Sequence, residues 1–329
     1  MTFRNLARIG ALVLFAATAL SAQNKAAWKM PRTADGHPDL QGIWNNSTRT
    51  PLERSAEFAA KPTLTDAEAK VWEQKEHQAW QELDGTSEGP LHKTKGSEGT
   101  GAYNVLFYDM GSGLARVDGV KRTSMVIDPP DGKIPALVQQ ARERNQAAAA
   151  RSRSAGNVKD RGLSERCIYV SMAGPPMLPT LYNNNYQIVQ TPDMVMILAE
   201  EIHDVRIIRL NAQHPPENVR QWLGDSVGHW EGDTLVVETT NFNDQTHFRG
   251  SSKDLKVTER FTRVDANNIV YKATLEDPST WTKPWTVELP FVAAPGPIYE
   301  YACHEGNYAI EDILGGARKA EAEEASHPK

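Results

Sequence analysis

From Tyr186 to Ala293 the chain repeats one pattern: short runs rich in β-branched residues, separated by compact turn-forming clusters. "YQIVQ", "MVMILAEE" and "VRIIRL" are divided by "TPD" and "IHD". "TLVVETTNF", "LKVTERFTRV", "NIVYKATL" and "WTVELPFVA" follow, divided by "RGSSKD", "DANN" and "DPSTWTKP". An earlier stretch, "RTSMVIDPPDGKIPAL", adds a further strand with a Pro-Asp-Gly turn, so the pattern predicts at least eight strands. Short connections favour antiparallel neighbours, and such a series closes into a barrel or splits into two sheets. The expected fold is mainly β, an antiparallel barrel of the lipocalin-like kind, with a β-sandwich as the alternative. No GxGxxG, P-loop or βαβ alternation is present, so no nucleotide cofactor is expected.

Outside this block, residues 28–54 are rich in Pro, Gly, Asn and Thr and read as an extended arm anchored by Trp28, Ile43 and Trp44. Residues 64–84 predict a helix: Thr65 with Glu68 forms a capping box, Val71, Trp72, Trp80 and Leu83 supply an apolar stripe, and Gly85 stops it. Residues 85–102 read as a Gly- and Lys-rich loop. Residues 135–165 read as an Ala-rich helix with a mobile basic insertion, either solvated or docking an acidic partner. Residues 308–329 read as a helical tail. No linker divides residues 23–329, so one domain is expected.

The first 22 residues form a separate case. Arg4 and Arg8 precede the apolar run Ile9–Leu20 and then small residues, the make-up of a secretory leader cleaved after Ala19 or Ala22. The formal charge of −6 becomes −8 without those two arginines, which disfavours nucleic acid as a partner. No second apolar span appears, so a periplasmic or secreted protein without a membrane span is expected. In an oxidising compartment the two cysteines, Cys167 and Cys303, are expected to pair.

Parity along the strands locates candidate chemistry. In "KVTERFTRV", Val257, Glu259, Phe261 and Arg263 share a face, so Glu259 is expected to point inward. In "TLVVETTNF" both faces are apolar enough to leave the choice open, but Glu238 shares its face with Val236 and Phe242. An inward carboxylate either pairs, with Arg206 or Arg260 in reach, or keeps its proton to higher pH and serves as an acid or base. Glu238 and Glu259 are therefore the candidate catalytic pair, with His229 and His304 assisting. Arg206, His203, Asn241, Trp230 and Trp285 are candidates for holding a substrate. Glu231 and Asp233 read as turn residues in water. His203, His229 and His304 can in principle meet at a metal, but no HExxH or paired CxxC supports this, and none is expected.

The motifs "PDLQGIW", "ERC", "GDSVGHWEGDTLVVETTNF", "TERFTRVD" and "YACHEGNY" together resemble an uncharacterised family of secreted bacterial proteins common in soil bacteria. The resemblance implies an exported bacterial protein and carries no reaction, cofactor or catalytic residue. The expectation for function is an exported small-molecule enzyme without a cofactor, a lyase, isomerase or hydrolase working by acid–base chemistry in the barrel. The alternative is a non-catalytic ligand-binding barrel.

Overall fold

The computed structural model describes residues 28–84, 108–153, 156–245 and 248–326, with residues 79–84, 152 and 153 described by their backbone. The leader, the loop at 85–102 and the side chains of Trp80 and Leu83 lie outside that description.

The barrel wall consists of β1 (Gly42–Asn45), β6 (Asn185–Gln190), β7 (Met194–Ala199), β8 (Val205–Leu210), β9 (Asp225–Glu231), β10 (Thr234–Thr240), β11 (Lys256–Arg263), β12 (Asn268–Glu276) and β13 (Trp285–Ala293). They follow one another in that order, and Trp44↔Ala293 and Asn45↔Val292 join β13 back to β1. The ring is a closed nine-stranded barrel, so the sandwich alternative falls away. A ring of purely antiparallel neighbours needs an even number of strands, so nine strands require a parallel join. It lies between β8 and β9, where Ile208–Leu210 run beside Ser226–Gly228. The longer connection at 211–224 makes it possible, because parallel neighbours need a crossover.

Between β1 and β6 in the chain lie β2 (Thr63–Leu64), β3 (Arg116–Val117), β4 (Val120–Arg122) and β5 (Val126–Asp128). β5 adds to β13, while β2, β4 and β3 make a separate small sheet. Glu288, buried on the outer side of β13, accepts from Arg122 at 2.5 Å and pairs with Lys272 at 2.9 Å. The first contact ties the small sheet to the barrel wall.

The N-terminal arm lies against the barrel through Arg32, His37 and Asp39, and its end, Gly42–Asn45, becomes wall. Trp44 is buried in the core and donates its indole N–H to Leu40 O at 2.9 Å, with the Arg263 guanidinium over its ring. Trp28 is exposed and stands outside the buried core.

The described residues contain three α-helices: α1 (Asp66–Asp84), α2 (Gln139–Arg153) and α3 (Ala309–Ser326). The capping box at α1 forms as its residue types require: Thr65 N–H donates to Glu68 Oε2 at 3.0 Å, and Glu68 N–H to Thr65 Oγ1 at 3.3 Å. Its buried stripe differs from expectation. Ala69 and Trp72 face Phe58 and Leu64, whereas Val71 is 68% exposed. α2 is fastened by Arg144, which donates to Gly250 O at 2.8 Å and Thr280 Oγ1 at 2.7 Å, so this basic stretch is partly spent inside the chain. No helix among the described residues is long and apolar enough to cross a membrane.

Cys167 and Cys303 form a disulfide. It pins the start of the segment Ile168–Pro179, which plugs one mouth of the barrel. Met177 and Leu178 join the barrel core, and the Met177 N–H donates to Tyr271 Oη at 2.8 Å.

Candidate functional site

Glu259 points into the barrel, as the parity of β11 requires. It sits fully buried among Val257, Phe261 and Tyr271. Its partner is Arg206, on β8. Arg206 Nη1 donates to Glu259 Oε1 at 2.9 Å, and Nη2 donates to Oε2. The other Arg206 donors reach Ser226 Oγ and Thr239 Oγ1, each at 2.8 Å, and Tyr271 Oη donates to Glu259 Oε1 at 2.8 Å. Both oxygens of Glu259 and all three nitrogens of the Arg206 guanidinium are therefore engaged inside the wall. Burial and the Glu259 carboxylate hold the Tyr271 hydroxyl well above its ordinary pKa. The arrangement is an internal ion pair with its hydrogen bonds filled, the form in which a buried charge is tolerated.

Glu238 does not join it. Val237 stands opposite Glu259 in the ladder, so Glu238, one residue on, faces outward. There it pairs with Lys256 and lies 3.5 Å from His214 Nε2. The expected acid–base pair is thus divided between the two faces of one sheet.

The remaining candidates are also dispersed. His229 is exposed on the outer face of β9, 3.2 Å from Glu231 Oε1. Glu231 and Asp233 flank Gly232, whose φ of +58° serves a tight hairpin turn, and they hold Arg260 and Arg32 in water. His304 is exposed, and its carbonyl accepts from Asn307 N–H. Asn241 is a clasp: its amide donates to the carbonyls of Pro215, Pro216 and Val219 and holds the 211–224 crossover. Trp230 stacks on His37 with ring centres 4.9 Å apart, and Trp285 is core, packed on Phe248 and Trp281. His203 accepts from Tyr301 N–H at Nδ1 (3.1 Å) and has Nε2 placed to donate to Tyr299 O (3.1 Å), so it fastens the chain after β13 to the β7–β8 turn. Among the described residues no three His, Cys, Asp or Glu side chains gather as a metal site.

That β7–β8 turn is where geometry and chemistry converge. Ile202 and His203 both adopt positive φ, +62° and +54°, a conformation costly for a β-branched residue and held only where the surroundings impose it. It presents Glu201 to a cavity of about 540 Å³ between the turn, the plug and the arm. The walls are mostly apolar, with Leu52, Met110, Met125, Val170, Met172 and Pro179. The polar side chains are Thr48, Arg49, Thr50, Thr180, Tyr182 and Glu201, of which only Arg49 and Glu201 can carry charge near neutral pH. Glu201 is buried, and its Oε2 accepts from Thr180 Oγ1 at 2.7 Å. Burial raises its pKa, and the neighbouring Glu200 carboxylate adds to the effect against the Thr180 bond. Glu200 is itself fixed by Asn185 Nδ2 at 2.8 Å and Tyr299 N–H at 3.2 Å. Beside them the Tyr301 hydroxyl is pushed up to about 12, first by burial and then by Tyr182 and Glu201. Arg49 donates through Nε to Gly111 O at 3.3 Å, while its Nη1 is buried with no hydrogen-bond partner among the described residues.

The cluster "EEIHD" stands out in the sequence, but nothing there separates Glu201 from Glu200, and Arg49 and Tyr182 carry no sequence signal. Comparison with family models, with curated proteins and with solved structures finds no match to this chain.

Proposed function

We propose that this protein is an exported acid–base enzyme acting on a small, largely apolar molecule that carries a carboxylate or carbonyl oxygen. The site is the cavity at the plugged mouth of the barrel. One observation carries the reading: a buried carboxyl with a raised pKa and a buried guanidinium nitrogen that finds no acceptor among the described residues line the same apolar cavity. An apolar pocket with a few convergent polar groups and a perturbed titratable residue is the usual form of a small-molecule site. Arg49 Nη1 receives the ligand's oxygen and so gains its missing acceptor. Glu201 gives or takes a proton, its pKa shifted toward the neutral range where such transfer is efficient. Tyr182, in the cavity wall, supplies a hydroxyl donor. The reaction type is that of an isomerase, lyase or hydrolase.

The disulfide and the leader-like N-terminus support export. The second reading, a non-catalytic binding protein using the same cavity, is favoured by the filled barrel interior, which leaves no carboxylate pair facing a ligand there.

The test is incubation of the protein in D₂O with a panel of small aliphatic keto, hydroxy and ester acids, read by mass spectrometry for deuterium uptake or conversion. The enzyme reading expects turnover that falls by about 10²-fold or more in Glu201→Gln. Saturable binding without exchange or conversion supports the binding protein instead, and undiminished turnover in Glu201→Gln removes Glu201 from the mechanism.

A further inference from the structure

The parallel join leaves a gap in the barrel wall. β8 pairs with β9 only along Ile208–Leu210, so Val205–Ile207 have no ladder partner on that side. The chain that would continue β9 pairs elsewhere: Gln221 bridges to Phe242 and exchanges backbone hydrogen bonds with Asn241 and Asn243. Between β8 and residues 220–226 lies a groove of about 580 Å³, which shares no lining residue with the Glu201 cavity. Asp204, three residues beyond Glu201 in the same turn, stands at this groove and not at the cavity.

The arginines around the groove are each engaged within the chain, and Asp204 is not. Arg206 is consumed by Glu259, Arg209 pairs with Asp225 at 2.9 Å, and Arg220 donates to Phe242 O and Lys253 O with Asp254 at 4.0 Å. Neither oxygen of Asp204 has a hydrogen-bond or ion-pair partner among the described residues, and burial alone raises its carboxyl to about 6. A partly buried carboxylate without a partner is unfavourable and gains from any cation that reaches it. The groove offers apolar contact as well: Val205 and Ile207 are exposed on β8, and Trp222, 38% exposed, presents its indole from the opposite wall.

We propose that this groove binds a small organic cation, a primary or quaternary alkylammonium. Its charge pairs with Asp204 and its alkyl part lies on Trp222, Val205 and Ile207. Indole faces attract ammonium groups, and desolvation strengthens the attraction. An anion gains less here, because Arg206 and Arg209 already face carboxylates and Arg220 already donates to two carbonyls.

The test is isothermal titration calorimetry of the full chain with n-butylammonium, choline and, as the anionic counterpart, butyrate. The proposal expects saturable binding of the two cations and none of butyrate. Asp204→Asn weakens cation binding about tenfold or more, and Trp222→Ala weakens it about threefold or more. Glu201→Gln leaves it unchanged, which separates this site from the cavity. Asp204→Asn removes an unpartnered charge and Trp222 is partly exposed, so both variants fold. Absence of cation binding up to about 10 mM, equal binding of butyrate, or undiminished affinity in Asp204→Asn overturns the proposal.

Discussion

Val237 and Glu259 stand directly opposite each other across the β10–β11 ladder, and this register sends Glu259 into the barrel and Glu238 into solvent. Inside, Glu259 meets Arg206, with every polar atom of the pair occupied. Breaking such a pair from one side leaves a buried charge behind, whereas replacing both members with apolar residues does not. Arg206→Met alone is expected to lose about 3–5 kcal/mol, and the double variant Arg206→Met/Glu259→Leu less than the two single losses combined. Urea denaturation of the three variants checks this; additive losses contradict it.

Asp204 gives the chain a pH dependence of defined sign. Burial raises its carboxyl from 3.8 to about 6, so between these values the folded state holds the proton more tightly than the unfolded chain. Its contribution is therefore a penalty that grows as pH rises through this window. It is complete above the folded value and absent below the unfolded one. Asp204→Asn is expected to exceed the wild type in stability by about 1 kcal/mol near neutral pH, a figure reduced for solvent screening of a partly exposed group. It is expected to match the wild type near the unfolded value. Denaturation curves at the two pH values measure the difference, and an equal gap at both contradicts it.

The legible part of the fold is the part with a period. β11 and β12 alternate cleanly, so the inward set Val257, Glu259, Phe261, Ile269, Tyr271, Ala273 and Leu275 can be read from parity. β10 is apolar on both faces, with Val236 and Val237 both buried, so parity cannot choose and the register with β11 decides. β1 is four residues within a Pro- and Asn-rich arm, too short to show any period, yet it closes the ring. The odd strand count, and with it the parallel join, follows from that hidden strand. The cavity is harder still to read. Arg49, Met125, Met172 and Glu201 come from four separate segments and meet only because the plug fills the mouth.

The disulfide spans a sequence separation of 136 residues. By the loop-entropy argument its loss is expected to cost about 5 kcal/mol and to lower the melting temperature by about 10 °C or more. The bridge also tethers the plug, so the paired Cys167→Ser/Cys303→Ser variant is expected to lose affinity for any ligand of the Glu201 cavity. Calorimetric melting with and without reductant tests the first expectation, and an unchanged melting temperature contradicts it.

The central claim is a division of labour between two buried glutamates, Glu259 holding the barrel together and Glu201 serving the cavity. Equilibrium unfolding of Glu259→Gln and Glu201→Gln tests it without knowledge of the substrate. Glu259→Gln is expected to lose about 3 kcal/mol or more, because Arg206 keeps its charge with no counterpart. Glu201→Gln is expected to hold level or gain, because a functional carboxyl in an apolar cavity is a stability cost that the amide relieves. A large loss in Glu201→Gln together with an undisturbed Glu259→Gln contradicts the account.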